Sequence, residues 1–227
     1  REDPSQKGLL YAGTETGMYI SFNDGASWQK FQLNLPIVPI TDLVIKENNL
    51  IVATQGRSLW MLDDLSLLYQ WPKAKEADGD FLFAPKKSYR TRGGGGKKSN
   101  KAGTNLENGV ITYFNLPDYD EKADSIHLSY LSVKGDTLAT FFNHAKEKER
   151  KVNLEKGANK FVWNSRFEGA EMLEGMILWW ATLQGAKVVP GYNNVSLDIK
   201  GKVQENPFQN LPDPNAENSI DHMQSQN

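Results

Sequence analysis

"LLYAGTETGMYISFNDG" (Leu9–Gly25) and "NLIVATQGRSLWMLDDL" (Asn49–Leu65) are two versions of one pattern. Thr14 aligns with Thr54 and Asp24 with Asp64, an offset of about 40 residues, which is a repeat period for stacked small sheets. Each copy reads as strand, turn, strand: "LLYAGT" then "MYISF", and "LIVAT" then "LWML". β-Branched and aromatic residues separated by glycine-containing breaks favour short antiparallel strands over helices. "SWQKFQ" and "ITDLVIKEN" between the copies supply further strands, with Leu43 and Ile45 on one face by alternation.

The count comes to about three strands in each repeat, as in the blades of a β-propeller. Two blades do not close a ring, and an open ring exposes sheet edges. The repeat therefore predicts further blades upstream of Arg1 or a companion chain as partner. The arginine at position 1 is itself read as the start of a segment from a longer protein. No leader of the basic-apolar type opens the chain.

Within the first copy, "SFNDGASW" (Ser21–Trp28) resembles the Asp-box, S-x-D-x-G-x-T-W, of BNR-repeat propellers. Ser21, Gly25 and Trp28 match, Ser27 stands for threonine, and Asn23 replaces the aspartate. Over about the first 70 residues the chain is similar to the final blades of sortilin (VPS10)-like and BNR-repeat proteins described as glycosyl hydrolases. The resemblance implies a blade-turn motif far from the ring's central pocket. The residues suit that role. Short polar side chains such as Ser21 and Asn23 hydrogen-bond nearby backbone amides. Gly25 takes a conformation awkward for other residues, and Trp28 is placed to cover the turn. "NDG" lacks the alternating oxygen ligands of a calcium loop.

Four segments are expected: terminal propeller blades over 1–70, a linker with a Gly-rich stretch over 71–108, an Ig/fibronectin-like β-sandwich over 109–204, and a polar tail over 205–227. The fold class is thus all-β, with the last blades of an incomplete propeller followed by an Ig-like sandwich. In the linker, "GGGGKK" is not a phosphate loop: Lys98 follows Gly96-Lys97 where Ser or Thr belongs, and Thr91 occupies the first glycine position. Beyond it, "GVITYFNL", "SIHLSYLSV", "TLATFFN", "NKFVWNSRF" and "NNVSLDIKG" recur at sandwich-like spacing. Lys134-Gly135-Asp136 supplies hairpin turn chemistry. "KGANKFVWNSR", with Gly157, Asn159 and Trp163, and "VVPGYNNVSLDI" resemble the small domain that follows the propeller in the same proteins. Trp163 is read as its core tryptophan. The segment Glu168–Ala186 carries adjacent Trp179 and Trp180, which point to opposite sides on a strand. They are read as a contact between domains, with sugar stacking as the alternative.

The 227 residues carry a net charge of −2, so nothing in the charge points to a nucleic-acid or membrane-surface binder, and neither is expected as a partner. Six tryptophans and an aromatic fraction of 11% argue for ordered packing. The chain has no cysteine, so disulfides, thiolate catalysis and Cys-based metal sites are excluded. No apolar run approaches the ~18 residues of a membrane span. His127, His144 and His222 show no metal spacing, and no cofactor is expected.

Function is read as non-catalytic: the C-terminal segment of a secreted or cell-surface propeller protein, serving architecture and binding of a protein or glycan. An extracytoplasmic location (periplasmic, outer-surface or secreted) is implied by the resemblance alone. The alternative is the C-terminal part of a glycosidase-like hydrolase whose active site lies in upstream blades. Glycoside hydrolysis usually requires two carboxylates about 5–10 Å apart. Asp42 and Asp64 are the catalytic candidates, although Asp63-Asp64 follows an apolar strand and is read first as a turn cap.

Overall fold

The computed structural model describes residues 1–77, 79–91, 107–147, 150–170, 177, 179 and 183–215. Strand accounts for 45% and helix for 6%, so the protein is all-β, and it contains a sheet curled into a half-barrel. The chain divides into two compact units, Arg1–Glu76 and Ala77–Asn227.

The first unit holds two antiparallel sheets. β1 (Leu10–Thr14), β2 (Gly17–Ser21) and β3 (Gln29–Lys30) form one, in that order, and β4 (Ile40–Lys46), β5 (Asn49–Thr54) and β6 (Leu59–Leu62) the other. Residues 1–3 run antiparallel beside β1, where Tyr11 N–H donates to Arg1 O and Asp3 N–H to Leu9 O. The two sequence repeats become two equivalent hairpins. In each, the terminal threonine hydroxyl spans the turn: Thr14 donates to Gly17 O at 2.9 Å and Thr54 to Ser58 O at 2.6 Å. The β4–β5 turn places Glu47 and Asn48 at φ 51° and 59°, the left-handed pair that matches strand twist in a two-residue hairpin.

Tyr11, Met18 and Ile20 of the first sheet and Leu43, Leu50 and Val52 of the second bury one common core. The sheets approach closely at Gly13, where an added Cβ would lie 2.4 Å from Ile40 Cγ2. Period-2 alternation sets these faces, as expected for half-buried strands.

Helix α1 (Ser66–Glu76) closes the unit and carries it past the boundary at residue 70 drawn from composition. Lysines and Pro72 make this stretch read as a linker. The helix nevertheless packs Leu68 and Tyr69 against the core and buries no residue fully, so its apolar stripe is too sparse to register. Leu65, fully buried, precedes it and donates its N–H to Asn48 O.

The second unit is built from β7 (Phe81–Leu82), β8 (Ser88–Arg90), β9 (Val110–Leu116), β10 (Ile126–Ser132), β11 (Thr137–Phe142), β12 (Gly157–Trp163), β13 (Gly191–Ile199) and β14 (Lys202–Pro212). One sheet has the order β11-β10-β13-β14-β8 and the other β12-β9-β7; only the β14–β8 pairing is parallel. Both sheets contribute to a single core around Trp163, whose ring stacks on Tyr130 at 4.3 Å with Phe208 edge-on to both. Tyr130 OH and Thr112 Oγ1 share a buried hydrogen bond of 2.8 Å. Asn159 ties the start of β12 to its own loop, accepting from Glu155 N–H and donating to Glu155 O and Gly157 O.

Three of these strands fall outside the predicted sandwich. β7 and β8 lie in the stretch read as a linker, and β14 runs eight residues into the stretch read as a tail. The physical reason lies in the inward face of β14, which carries amides where an apolar set would be expected. Gln204 Oε1 accepts from Leu82 N–H, its Nε2 donates to Asp80 O, and Asn206 Nδ2 donates to Leu82 O. These amides satisfy the backbone of β7 across the junction of the two sheets, a service that hydropathy does not reveal. The Gly93–Gly96 run, Trp180, His222 and residues 216–227 lie outside the described residues.

Candidate functional site

The turn at Ser21–Trp28 is organised by its own short side chains. The Ser21 hydroxyl, on a residue 1% exposed, donates to Asn23 Oδ1 at 3.0 Å and accepts from Gly25 N–H at 2.9 Å. Asn23 Oδ1 also accepts from Ser27 N–H, and Asn23 Nδ2 donates to Ser27 Oγ, both at 2.9 Å. Asp24 and Gly25 sit at φ 55° and 85°. The side-chain oxygens of Ser21, Asn23 and Ser27 are all engaged within the turn. Trp28 lies over Gly25, with its ring atoms 3.8 Å from the position of an added Cβ, and remains partly exposed.

Trp28 borders two open clefts of the first unit. One, about 410 Å³, is lined by Asn23, Ser27, Gln29, Trp71 and Lys75 among others. The second, about 480 Å³, is lined by Arg1, Glu2, Gly13, Asp42 and Leu43 among others. Asp42 stands on β4 with Arg1 Nη2 at 2.9 Å, and its carboxylate also accepts from Leu43 N–H at 2.8 Å. The amide and the guanidinium hold its carboxyl below the usual carboxylate range, so it stays ionised and engaged. General-acid chemistry requires the opposite shift. Asp64 sits at φ 69° and accepts from Ser66 N–H at 3.0 Å, capping α1. Asp64 is absent from the lining of either cleft, so neither cleft brings Asp42 and Asp64 together.

Trp179 is 85% exposed. His127 Nε2 lies 3.3 Å from Ser125 Oγ, and His144 Nε2 lies 3.1 Å from the Asp124 carbonyl. Among the described residues no group of three His, Asp or Glu side chains is placed to hold a metal ion. Among the same residues no helix is long and apolar enough to cross a membrane.

Two features escape the sequence. The first is an open apolar sheet face. On β4, β5 and β6, Val44 pairs with Ile51 and Ile51 with Met61, while Ala53 pairs with Leu59. Val44, Leu59 and Met61 are 47%, 72% and 57% exposed. The second is a set of cations in the second unit, Arg90, Arg166 and Lys187, which repel one another and are partly desolvated. The first needs the burial of each face, which alternation alone does not give, and the second joins residues far apart in sequence. Comparison with known proteins matched no family model, no curated protein and no solved structure.

Proposed function

We propose that this chain is a non-catalytic segment of a BNR-repeat, sortilin-like propeller protein, with two repeat sheets in residues 1–76 and an Ig/fibronectin-like sandwich after them. Its role is architecture and binding of a protein or glycan, and its location is extracytoplasmic. The partner of the first unit is a further sheet of the same repeat, from the same protein or a companion chain.

One observation carries this reading. Tyr11 pairs with Ile20 and Gly13 with Met18, as Ile51 pairs with Met61 and Ala53 with Leu59 one repeat later. In the first sheet this face is buried against its neighbour: Tyr11, Met18 and Ile20 are core residues. In the second sheet the equivalent face is open. A repeat that packs one face of each sheet onto the opposite face of the next is heterologous, and it leaves one apolar face unpaired at the end of any short array. The Asp-box-like turn supports the same reading, since its polar groups serve the hairpin. The state of Asp42 and Asp64 gives no support to the hydrolytic alternative.

Sedimentation velocity tests the proposal. The chain is expected to associate head to tail with rising concentration, and Leu59→Lys with Met61→Lys to return it to monomer without lowering its melting temperature. A wild-type chain that stays monomeric and binds no apolar-surface dye overturns the reading. A polysaccharide-degradation panel with wild type and Asp42→Asn should show no activity that depends on Asp42.

A further inference from the structure

We propose that the cleft lined by Trp28 and Trp71 in the first unit is a saccharide site, in which the two indole rings carry a pyranose and Ser27, Gln29 and Lys75 read its hydroxyls. The inference rests on the binding half of the function proposed above and names its ligand class. The stacking of repeat sheets plays no part in it.

Two well-anchored elements build the cleft. Trp28 follows directly on the turn that Asn23 locks through Ser27 N–H and Ser27 Oγ, and its ring lies over Gly25. Trp71 belongs to α1, which Asp64 caps and which packs Leu68 and Tyr69 on the core, with the Tyr69 hydroxyl 3.1 Å from Asp3 Oδ2. Both tryptophans line one volume of about 410 Å³. Small-ligand clefts commonly enclose about 300–1,000 Å³.

The state of the two rings points to a ligand. Trp28 is 44% and Trp71 46% exposed, and among the described residues neither pairs with another aromatic ring. Trp60 and Trp163, by contrast, give their indole N–H to Arg57 O and Arg166 O. The indole N–H groups of Trp28 and Trp71 meet no acceptor among the described residues. A single exposed aromatic needs no explanation, whereas two that converge on one cleft mark a recognition surface.

The polar lining selects the ligand class. Gln29, on β3, is exposed, and its amide has no partner among the described residues, so both its donors and its acceptor are free. Ser27 Oγ accepts from Asn23 Nδ2 and keeps its own proton to donate. Lys75, in the last turn of α1, is the one charged residue in the lining, with no carboxylate beside it. A pyranose meets this set: its C–H face lies on an indole ring while its hydroxyls, each both donor and acceptor, meet the amide, the hydroxyl and the ammonium. A purely apolar occupant would strip water from Gln29 and Ser27 and return no hydrogen bond. One lysine without an acid favours a neutral or acidic sugar over an amino sugar.

The test is calorimetric titration and tryptophan fluorescence of the whole chain with neutral hexose tetramers (glucose, mannose and galactose backbones) and uronate tetramers, at matched ionic strength. Trp71→Ala should bind at least about tenfold more weakly, and Trp71→Phe should lose less because it keeps an aromatic face. Trp71→Leu, apolar without that face, should bind as weakly as Trp71→Ala. All three variants lie on exposed helix surface and should melt close to wild type. In Lys75→Gln, a larger loss for uronate than for neutral tetramers assigns an acidic glycan, and equal losses a neutral one. No binding of any tetramer, binding that survives Trp71→Ala, or Trp71→Leu binding as well as Trp71→Phe overturns the site. Sedimentation of the same proteins separates this result from the assembly reading. Trp71→Ala should associate as wild type does, and Leu59→Lys with Met61→Lys should bind saccharide as wild type does. A Trp71→Ala chain that also loses association would make Trp71 an assembly contact and overturn the site.

Discussion

Replacing Ser21 by alanine tests how the Asp-box-like turn holds the first unit. The hydroxyl accepts from Gly25 N–H at 2.9 Å and donates to Asn23 Oδ1 at 3.0 Å, on a residue 1% exposed. Deleting it leaves the Gly25 amide without its acceptor, which costs about 1–3 kcal/mol for a buried donor. A unit of this size loses about 4–8 °C of melting temperature per kcal/mol, so a fall of about 10 °C is expected. Asn23→Asp serves as the matched control. Asp retains the acceptor for Ser27 N–H and Ser21 Oγ–H, and the Ser27 hydroxyl can turn to donate. That variant should therefore melt within about 0.5 kcal/mol of wild type. Asn23→Ala removes all three side-chain bonds of that residue and should fall with Ser21→Ala. Differential scanning calorimetry of the whole chain gives the three values. If Ser21→Ala melts with wild type, or Asn23→Asp falls as far as Asn23→Ala, the turn is not held by these oxygens.

Two further perturbations probe buried polar groups. Tyr130→Phe strands Thr112 Oγ1, which is fully buried, and should cost about 1–3 kcal/mol, whereas adding Thr112→Val should recover much of the loss; urea denaturation of the four proteins of the cycle decides it. Tyr69, whose hydroxyl donates to Asp3 Oδ2 at 3.1 Å, is pushed up to about 12 by burial and by the Asp3 charge. A raised folded-state value makes its contribution complete below the unfolded value of about 10 and lost as pH rises from there through about 12. Melting temperature should fall across that window in wild type, and the fall should be shallower in Tyr69→Phe; parallel curves would refute the assignment.

Sequence patterning carried the strands whose inward faces are apolar. β9 alternates Val110, Thr112, Phe114 and Leu116 inward, and β10 does the same with Ile126, Leu128 and Tyr130. It failed for β14, where Gln204 and Asn206 point toward the backbone of β7, and for α1, which buries no residue fully and packs only Leu68 and Tyr69 on the core. Hydropathy registers apolar burial, and it has no signal for an amide buried on a partner's peptide group. The polar turn was legible because its partners lie within six residues of one another. The open sheet face was not, because alternation shows that a strand has two faces and not which of them is covered; the Arg90, Arg166 and Lys187 cations were not, because they lie on segments far apart in the chain.

By itself, then, the sequence determined what acts locally: the repeat of about 40 residues, the hairpins closed by Thr14 and Thr54, the Ser21–Asn23 turn, and the all-β class. These depend on neighbouring residues and on period 2. Only the tertiary structure decided which face of each sheet is buried and which is left open. It also decided that Asp42 is held by Arg1, that Asp64 caps a helix, and that Arg90, Arg166 and Lys187 come within electrostatic reach of one another. Register and sheet order set those outcomes, and a one-residue shift in pairing would exchange the two faces of every strand.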